Sequence, residues 1–185
     1  KKEGIISQTP LQCFKSCLEM VENELGRYHP FSLRCLNEIG VTLSDNKKYT
    51  EALTYFQKAL MVELRLVRSG NSELAGDSLF NQGRVYRALG QLKRASSCFD
   101  QCLKTKISVF GEKHLRCYRV SYEWALVHRD FGNNKQAITM LHECYTALRS
   151  KNGTDSICFK WILTDLSALI FAEEGAELMQ AGIDS

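Results

Sequence analysis

Leu79-Phe-Asn-Gln-Gly83-Arg-Val-Tyr86-Arg-Ala-Leu-Gly90-Gln91-Leu-Lys-Arg-Ala95-Ser-Ser-Cys-Phe99-Asp-Gln-Cys102-Leu103 reads as a helix, a tight turn at Gly90-Gln91 and a second, antiparallel helix. Leu79, Gly83 and Tyr86 share one face of the first helix at helical spacing. Ala95, Phe99 and Cys102 share one face of the second. A bulky–small–bulky face laid against a small–aromatic–small face lets two helices interlock. Gly83 gives up about 1 kcal/mol of helix propensity against Ala, so a close approach by another backbone is expected there.

The same arrangement recurs on both sides. Upstream it is Leu36, Ile39, Gly40 and Leu43, followed by Ala52, Phe56 and Ala59. Downstream it is Trp124, Ala125 and His128, followed by Ala137, Leu141 and Cys144. From Ala52 to Ala95 is 43 residues and from Ala95 to Ala137 is 42. Self-similarity at such a period indicates stacked helical hairpins.

The order small–aliphatic–Gly–aromatic, then Ala-x3-Phe, resembles the tetratricopeptide repeat over nearly the whole chain. Each unit is about eight residues longer than the common form and lacks its closing Pro. The extra residues lengthen the second helix by about two turns and lead to a Gly-x-x-His junction. Gly26-Arg-Tyr-His29-Pro30 and Gly111-Glu-Lys-His114 are the clear copies, and Gly70-Asn-Ser and Gly153-Thr-Asp are degraded ones. A long repeat with that junction is similar to those of kinesin light chains. HEAT and armadillo repeats share the period but not the Ala-x3-Phe pairing. The expected fold is therefore all-α, a right-handed superhelical solenoid of antiparallel helix hairpins.

Taken in order, residues 9–30 are a half repeat, 31–72, 73–114 and 115–155 are repeats, and 156–185 are a partial one. One array spans 1–185. Thr9 is the expected N-cap of the first helix and Pro10 suits its first turn. Thr50 is expected to cap the helix that follows the turn 44–48. Gly132-Asn133-Asn134 forms the third turn, its asparagines tolerating left-handed backbone. In the last unit Leu163, Leu166, Ser167 and Ile170 repeat the packing face. Glu173-Glu174-Gly175 sits where the turn belongs, with a second helix beginning at Ala176. The chain starts inside one repeat and ends inside another, which suggests a segment of a longer array with adhesive end faces.

Composition supports this. Hydrophobic residues make up 44% of the 185, enough for a core, and the two prolines both lie near the start. No apolar run reaches the roughly 18 residues of a membrane span. A net charge of +3, with no basic block longer than two, does not single out nucleic acid as a partner. Eight cysteines could form a disulfide framework. However, Cys17, Cys102 and Cys144 take the place of Ala59, and so read as apolar fillers at helix contacts. Reduced packing cysteines point to a cytoplasmic, intracellular protein.

Catalytic chemistry is not evident. No Ser-His-Asp order, phosphate loop or His-Glu metal motif appears. His128 stands where Tyr86 stands and reads as a packed aromatic substitute. His29 and His114 read as closing the inter-repeat turns. No enzyme activity, metal or cofactor is expected.

The candidate site is the concave wall made by the first helix of each unit. Arg34, Asn37, Phe80, Asn81, Arg84, Arg87, Arg119, Tyr122 and Arg129 fall on it, and Trp161 and Asp165 continue the row. Arg recognises carboxylates in a planar fork, and Asn can bind an extended backbone through both ends of its amide. Phe80 and Tyr122 offer apolar pockets. The resemblance implies binding of short peptide segments of partner proteins, as an adaptor or scaffold. The expected partner is acidic with an apolar anchor. The other reading is an architectural, oligomerisation or regulatory segment of a larger protein, with self-association through exposed end helices.

Overall fold

The computed structural model describes residues 9–70, 74–150 and 157–183, and in the last stretch the side chains of 160–174. Eight helices are described: α1 (Pro10–Glu24), α2 (Pro30–Asp45), α3 (Tyr49–Arg68), α4 (Asp77–Ala88), α5 (Leu92–Phe110), α6 (Leu115–Asp130), α7 (Asn134–Ser150) and α8 (Ile157–Ile183). They form two compact units, Lys1–Gln91 and Leu92–Ser185.

In the first unit α2 and α3 close as the period requires. Ala52, Phe56 and Ala59 are buried against Leu36, Ile39 and Leu43. Gly40 makes this fit possible: a Cβ there would stand 2.5 Å from the Phe56 ring. At this position the close neighbour is an aromatic ring rather than a backbone. Leu11, Phe14 and Leu18 of α1 pack against the same cluster. Burying Phe56 alone contributes about 1.5–3 kcal/mol.

Thr9 caps α1 as expected. Its hydroxyl accepts from Gln12 N at 3.3 Å, and Gln12 Oε1 accepts in return from Thr9 N at 2.9 Å. Thr50 does not cap α3. The N-cap is Lys48, without a side-chain hydrogen bond, and Thr50 lies inside the first turn. The turn decides this. Lys47 takes the left-handed conformation at φ 61°, and the Lys48 N–H returns to Leu43 O at 2.9 Å, so the helix starts early.

The expected turn at Gly90-Gln91 is present. Gly90 has φ 70°, and Gln91 N donates to Tyr86 O at 2.8 Å. The two Gly-x-x-His junctions share one geometry. His29 Nδ1 accepts from Phe31 N, and His114 Nδ1 accepts from Arg116 N, both at 3.2 Å. Each histidine is thus the N-cap of its helix. Gly26 O accepts from Ser32 Oγ, and Gly111 O accepts from Cys117 Sγ, tying each glycine carbonyl to the following helix. α4 is entered differently. Gly76 is left-handed, and the buried Glu63 carboxylate accepts from Gly76 N at 2.7 Å and Ser78 N at 3.0 Å. Residues 71–73 of the degraded junction lie outside the described residues, as does the 153–155 copy.

In the second unit Ala125, Ala137, Leu141, Cys144 and Leu148 form the core with Ile162, Leu166 and Leu169 of α8. The left-handed position of the α6–α7 turn falls on Gly132 alone, at φ 82°, and not on Asn133 or Asn134. α8 departs most from expectation. It runs unbroken through Glu173-Glu174-Gly175, so the second helix expected from Ala176 does not fold back. The two glutamates are good helix formers, and one Gly costs only about 1 kcal/mol. The face that packs is also offset from the one expected: Ile162, Leu166 and Leu169 are buried, whereas Leu163 is 46% and Ile170 39% exposed. Cys102 and Cys144 are buried fillers as expected, whereas Cys17 is exposed.

Candidate peptide-binding surface

In the first unit the wall is carried by α2 and α4. Asn81 Nδ2 donates to Asn37 Oδ1 at 3.4 Å, joining two first helices one repeat apart. Residues three apart share a helix face. Arg34, one turn before Asn37, and Arg84, one turn after Asn81, therefore lie on the same wall, and both are exposed. Arg87 and Asn81 are half-buried. Asn37 is buried, and so is Phe80, expected to offer an apolar pocket on the wall but only 6% exposed. α4 is buried on two sides, Phe80 with Gly83 on one and Ser78, Gln82 and Val85 on the other, so this ring is covered as well. Gln82 donates to Phe56 O at 3.3 Å, tying α4 to α3.

In the second unit the wall is carried by α6 and α8. The Tyr122 hydroxyl donates to Asp165 at 2.7 Å, and Arg129 donates to the other oxygen of the same carboxylate at 3.0 Å. Arg129 Nε also faces Asp130 at 3.3 Å. Burial first, and then the hydrogen bond to Asp165, push the Tyr122 phenol well above its ordinary range. Arg119 and Trp161 are exposed. Trp161 lies one turn before Asp165 on α8, so it stands beside this polar cluster. Asp165, which the sequence placed only at the end of a row, is the group on which the cluster converges. The signal was its spacing, one repeat beyond Tyr122.

Other candidates resolve as packing groups. The His128 ring lies 5.9 Å from Trp124, its Nδ1 is buried without a hydrogen bond, and burial lowers its pKa. Trp124 Nε1 donates to Ser96 Oγ at 2.9 Å. Cys144 is buried while the adjacent His142 and Glu143 are exposed, so the three diverge. Among the described residues no group of three or more His, Cys, Asp or Glu side chains could hold a metal ion. No described helix is long and apolar enough to cross a membrane.

The recurrent hairpin faces, the shared junction geometry and the polar contacts one repeat apart define an all-α protein of paired antiparallel helices. The chain belongs to the tetratricopeptide repeat family, whose profile matches residues 11–62 and 38–108, together more than half of it. No curated protein matches it in sequence. Among solved structures it is similar to a Podosopora anserina protein described as a kinesin light chain with nearly identical TPR-like repeats. That match has a TM-score of 0.69 at 16% identity, covering 94% of this chain and 82% of that one. It is also similar to BtubC (BKLC) of P. vanneervenii, with a TM-score of 0.76 at 14% identity over 90% of this chain and 68% of that one. The Sgt2 TPR domain of Aspergillus fumigatus gives a TM-score of 0.57 at 19% identity over 80% and 83%. At these identities the likeness is one of fold. The tetratricopeptide fold mediates protein–protein interaction and is not associated with catalysis.

Proposed function

We propose that the first-helix wall binds short peptide segments of partner proteins, so that the chain serves as an adaptor or scaffold. The observation that carries this reading is the Asn37–Asn81 contact, with Arg34 and Arg84 exposed one turn to either side. Asn81 would take the peptide backbone, and the arginines would take acidic side chains. Tyr122 and Arg129 would act through the Asp165 cluster they hold, with Arg119 and Trp161 as the exposed cation and aromatic anchor of that unit. Phe80 is not an anchor in this reading. Cysteines that serve as core fillers support a reducing, cytoplasmic setting.

The test is a peptide array of acidic sequences with an aromatic anchor, followed by calorimetry of the best binder. Losing a desolvated charge-assisted hydrogen bond costs about 1.5–3 kcal/mol, against under about 1 for an exposed ion pair. Arg84→Ala should weaken binding about tenfold, and binding should strengthen at low salt. Lys104→Ala, on α5, should not change it. Unchanged binding by both Arg84→Ala and Asn81→Ala would remove the wall as the site.

An architectural or oligomerisation role has one observation in its favour, the open face of α8. Leu163, Ile170 and Phe171 are exposed there. Concentration-dependent sedimentation that Ile170→Glu abolishes would support it.

A further inference from the structure

We propose that the open face of α8 is the interface of a homodimer, in which two copies of this chain pair their α8 helices antiparallel about Ser167. The proposal rests on the oligomerisation reading of that face and adds its occupant and its register. Ile162, Leu166 and Leu169 are buried in the core of the second unit. On the opposite side, Lys160, Leu163, Thr164, Ile170, Phe171 and Glu174 fall within about 60° of Ser167 round the helix, at about 100° per residue. All of them, and Ser167 itself, are exposed. Phe171 is 79% exposed. With Leu163 and Ile170 it makes an apolar stripe open to water, the mark of a contact surface.

The stripe is complementary to itself. Lys160 and Glu174 lie seven residues to either side of Ser167, Leu163 and Phe171 four, and Thr164 and Ile170 three. A two-fold axis through Ser167 therefore sets Lys160 against Glu174 of the second copy, Leu163 against its Phe171 and Thr164 against its Ile170. Each contact occurs twice in such a dimer. A parallel pair would instead set Lys160 against Lys160 and Glu174 against Glu174, like charges that repel. The small Ser167 stands at the crossing point, where the side chains at the contact set how closely two helices approach.

The polar groups of the stripe do not oppose its burial. Thr164 Oγ1 donates to Lys160 O and Ser167 Oγ donates to Thr164 O, both at 2.9 Å. The two hydroxyls are thus bonded within α8, and covering them leaves no donor without an acceptor. Lys160 and Glu174 sit at the two ends of the stripe, where an interface keeps its polar rim wet. From Lys160 to Glu174 is about 21 Å, about four turns of helix. That buries less than the roughly 800 Å² per partner of a standard interface, so the dimer is weak and concentration-dependent. Trp161 and Asp165 lie about 120° and 160° from Ser167 round α8, so pairing leaves the first-helix wall uncovered.

Sedimentation equilibrium of the whole chain measures the association. The parent should dimerise, and Phe171→Asp should weaken dimerisation at least about tenfold. Lys160→Glu and Glu174→Lys should each weaken it about tenfold at low salt, because each turns two attractions into two repulsions. The double variant Lys160→Glu/Glu174→Lys should regain the parent's affinity. Lys135→Glu, the same charge change on the exposed surface of α7, should have no effect. All the altered side chains are exposed in the parent, and circular dichroism checks that helix content is kept. In addition, a benzophenone amino acid in place of Phe171 should crosslink on irradiation to residues 160–164 of the second copy. A parent that stays monomeric up to millimolar concentration overturns both the oligomerisation reading and this dimer, and leaves the face to a different protein. Dimerisation that Phe171→Asp abolishes but the double variant does not restore, or crosslinks to residues 168–174, keeps the oligomerisation reading and overturns the antiparallel register. Dimerisation that Phe171→Asp does not change places the contact elsewhere and overturns the proposal.

Discussion

Tyr122 and Asp165 lie one repeat apart in sequence and share a 2.7 Å hydrogen bond from phenol to carboxylate. Arg129 holds the other carboxylate oxygen, so α8 is fastened to α6 by a polar clasp beside an apolar core.

That clasp makes the second unit sensitive to alkali. The folded Tyr122 keeps its proton above the range of a free tyrosine, about 10. Between those two limits the folded state binds more protons than the unfolded state, so stability is full below about pH 10 and falls as pH rises. Tyr122→Phe should flatten this alkaline loss in urea titrations run from pH 8 upward. Asp165→Ala should cost about 1–3 kcal/mol even at neutral pH, because it strips partners from both Tyr122 and Arg129.

Gly40 faces a ring that has nowhere to go. A Cβ would meet three atoms of the buried Phe56 ring at 2.5–2.8 Å. The helix-propensity gain of Gly40→Ala, about 1 kcal/mol, should be outweighed by overpacking, for a net loss of about 1–2 kcal/mol. Gly40→Ala combined with Phe56→Leu should lose less than the sum of the two single changes. Equilibrium denaturation of the three variants measures the coupling, and strict additivity would show that the two sites do not touch.

Glu63 performs by side chain what His29 and His114 perform at the other junctions. Glu63→Ala should leave the N–H groups of Gly76 and Ser78 without their acceptor and cost about 1–3 kcal/mol. Glu63→Gln should lose less at neutral pH, since one oxygen still accepts and no charge is buried. Burial raises the Glu63 pKa above the ordinary carboxylate value despite the two N–H donors that oppose it. The folded state therefore holds the proton to higher pH than the unfolded state. The Glu63 term favours folding at low pH and is lost as pH rises through the folded pKa. A glutamine at that position does not titrate, so the stability gap between the parent and Glu63→Gln should widen on mild acidification.

The cysteines should separate by reactivity. Burial, and then the neighbouring Glu143, push the Cys144 thiol up to about 12, and its Sγ–H donates to Tyr118 O at 3.5 Å. A brief iodoacetamide pulse at pH 8 should label Cys13 and Cys17, which are exposed, and spare Cys102 and Cys144. All four should label in denaturant. Labelling of Cys144 at the rate of Cys17 in the native state would contradict the burial.

The sequence by itself determined the repeat. Small residues at Gly40, Ala52, Ala59, Ala95, Ala125 and Ala137 recur because two helices approach closely only where side chains are small, and that requirement is local and periodic. It also marked the His29 and His114 junctions, since capping is settled within a few residues of the helix end. The wall was legible as a row, but its state was not. Whether Phe80 points to solvent or to the core, and whether Arg129 is open or held by Asp165, depends on how neighbouring first helices are rotated. A one-residue change of face is about 100° on a helix, which periodicity does not resolve. The tertiary structure alone decided Glu63, since its partners Gly76 and Ser78 carry no side-chain signature of an acceptor. It also decided α8: local propensity left the stop at Gly175 undetermined, and a helix folds back only where packing repays breaking its hydrogen bonds.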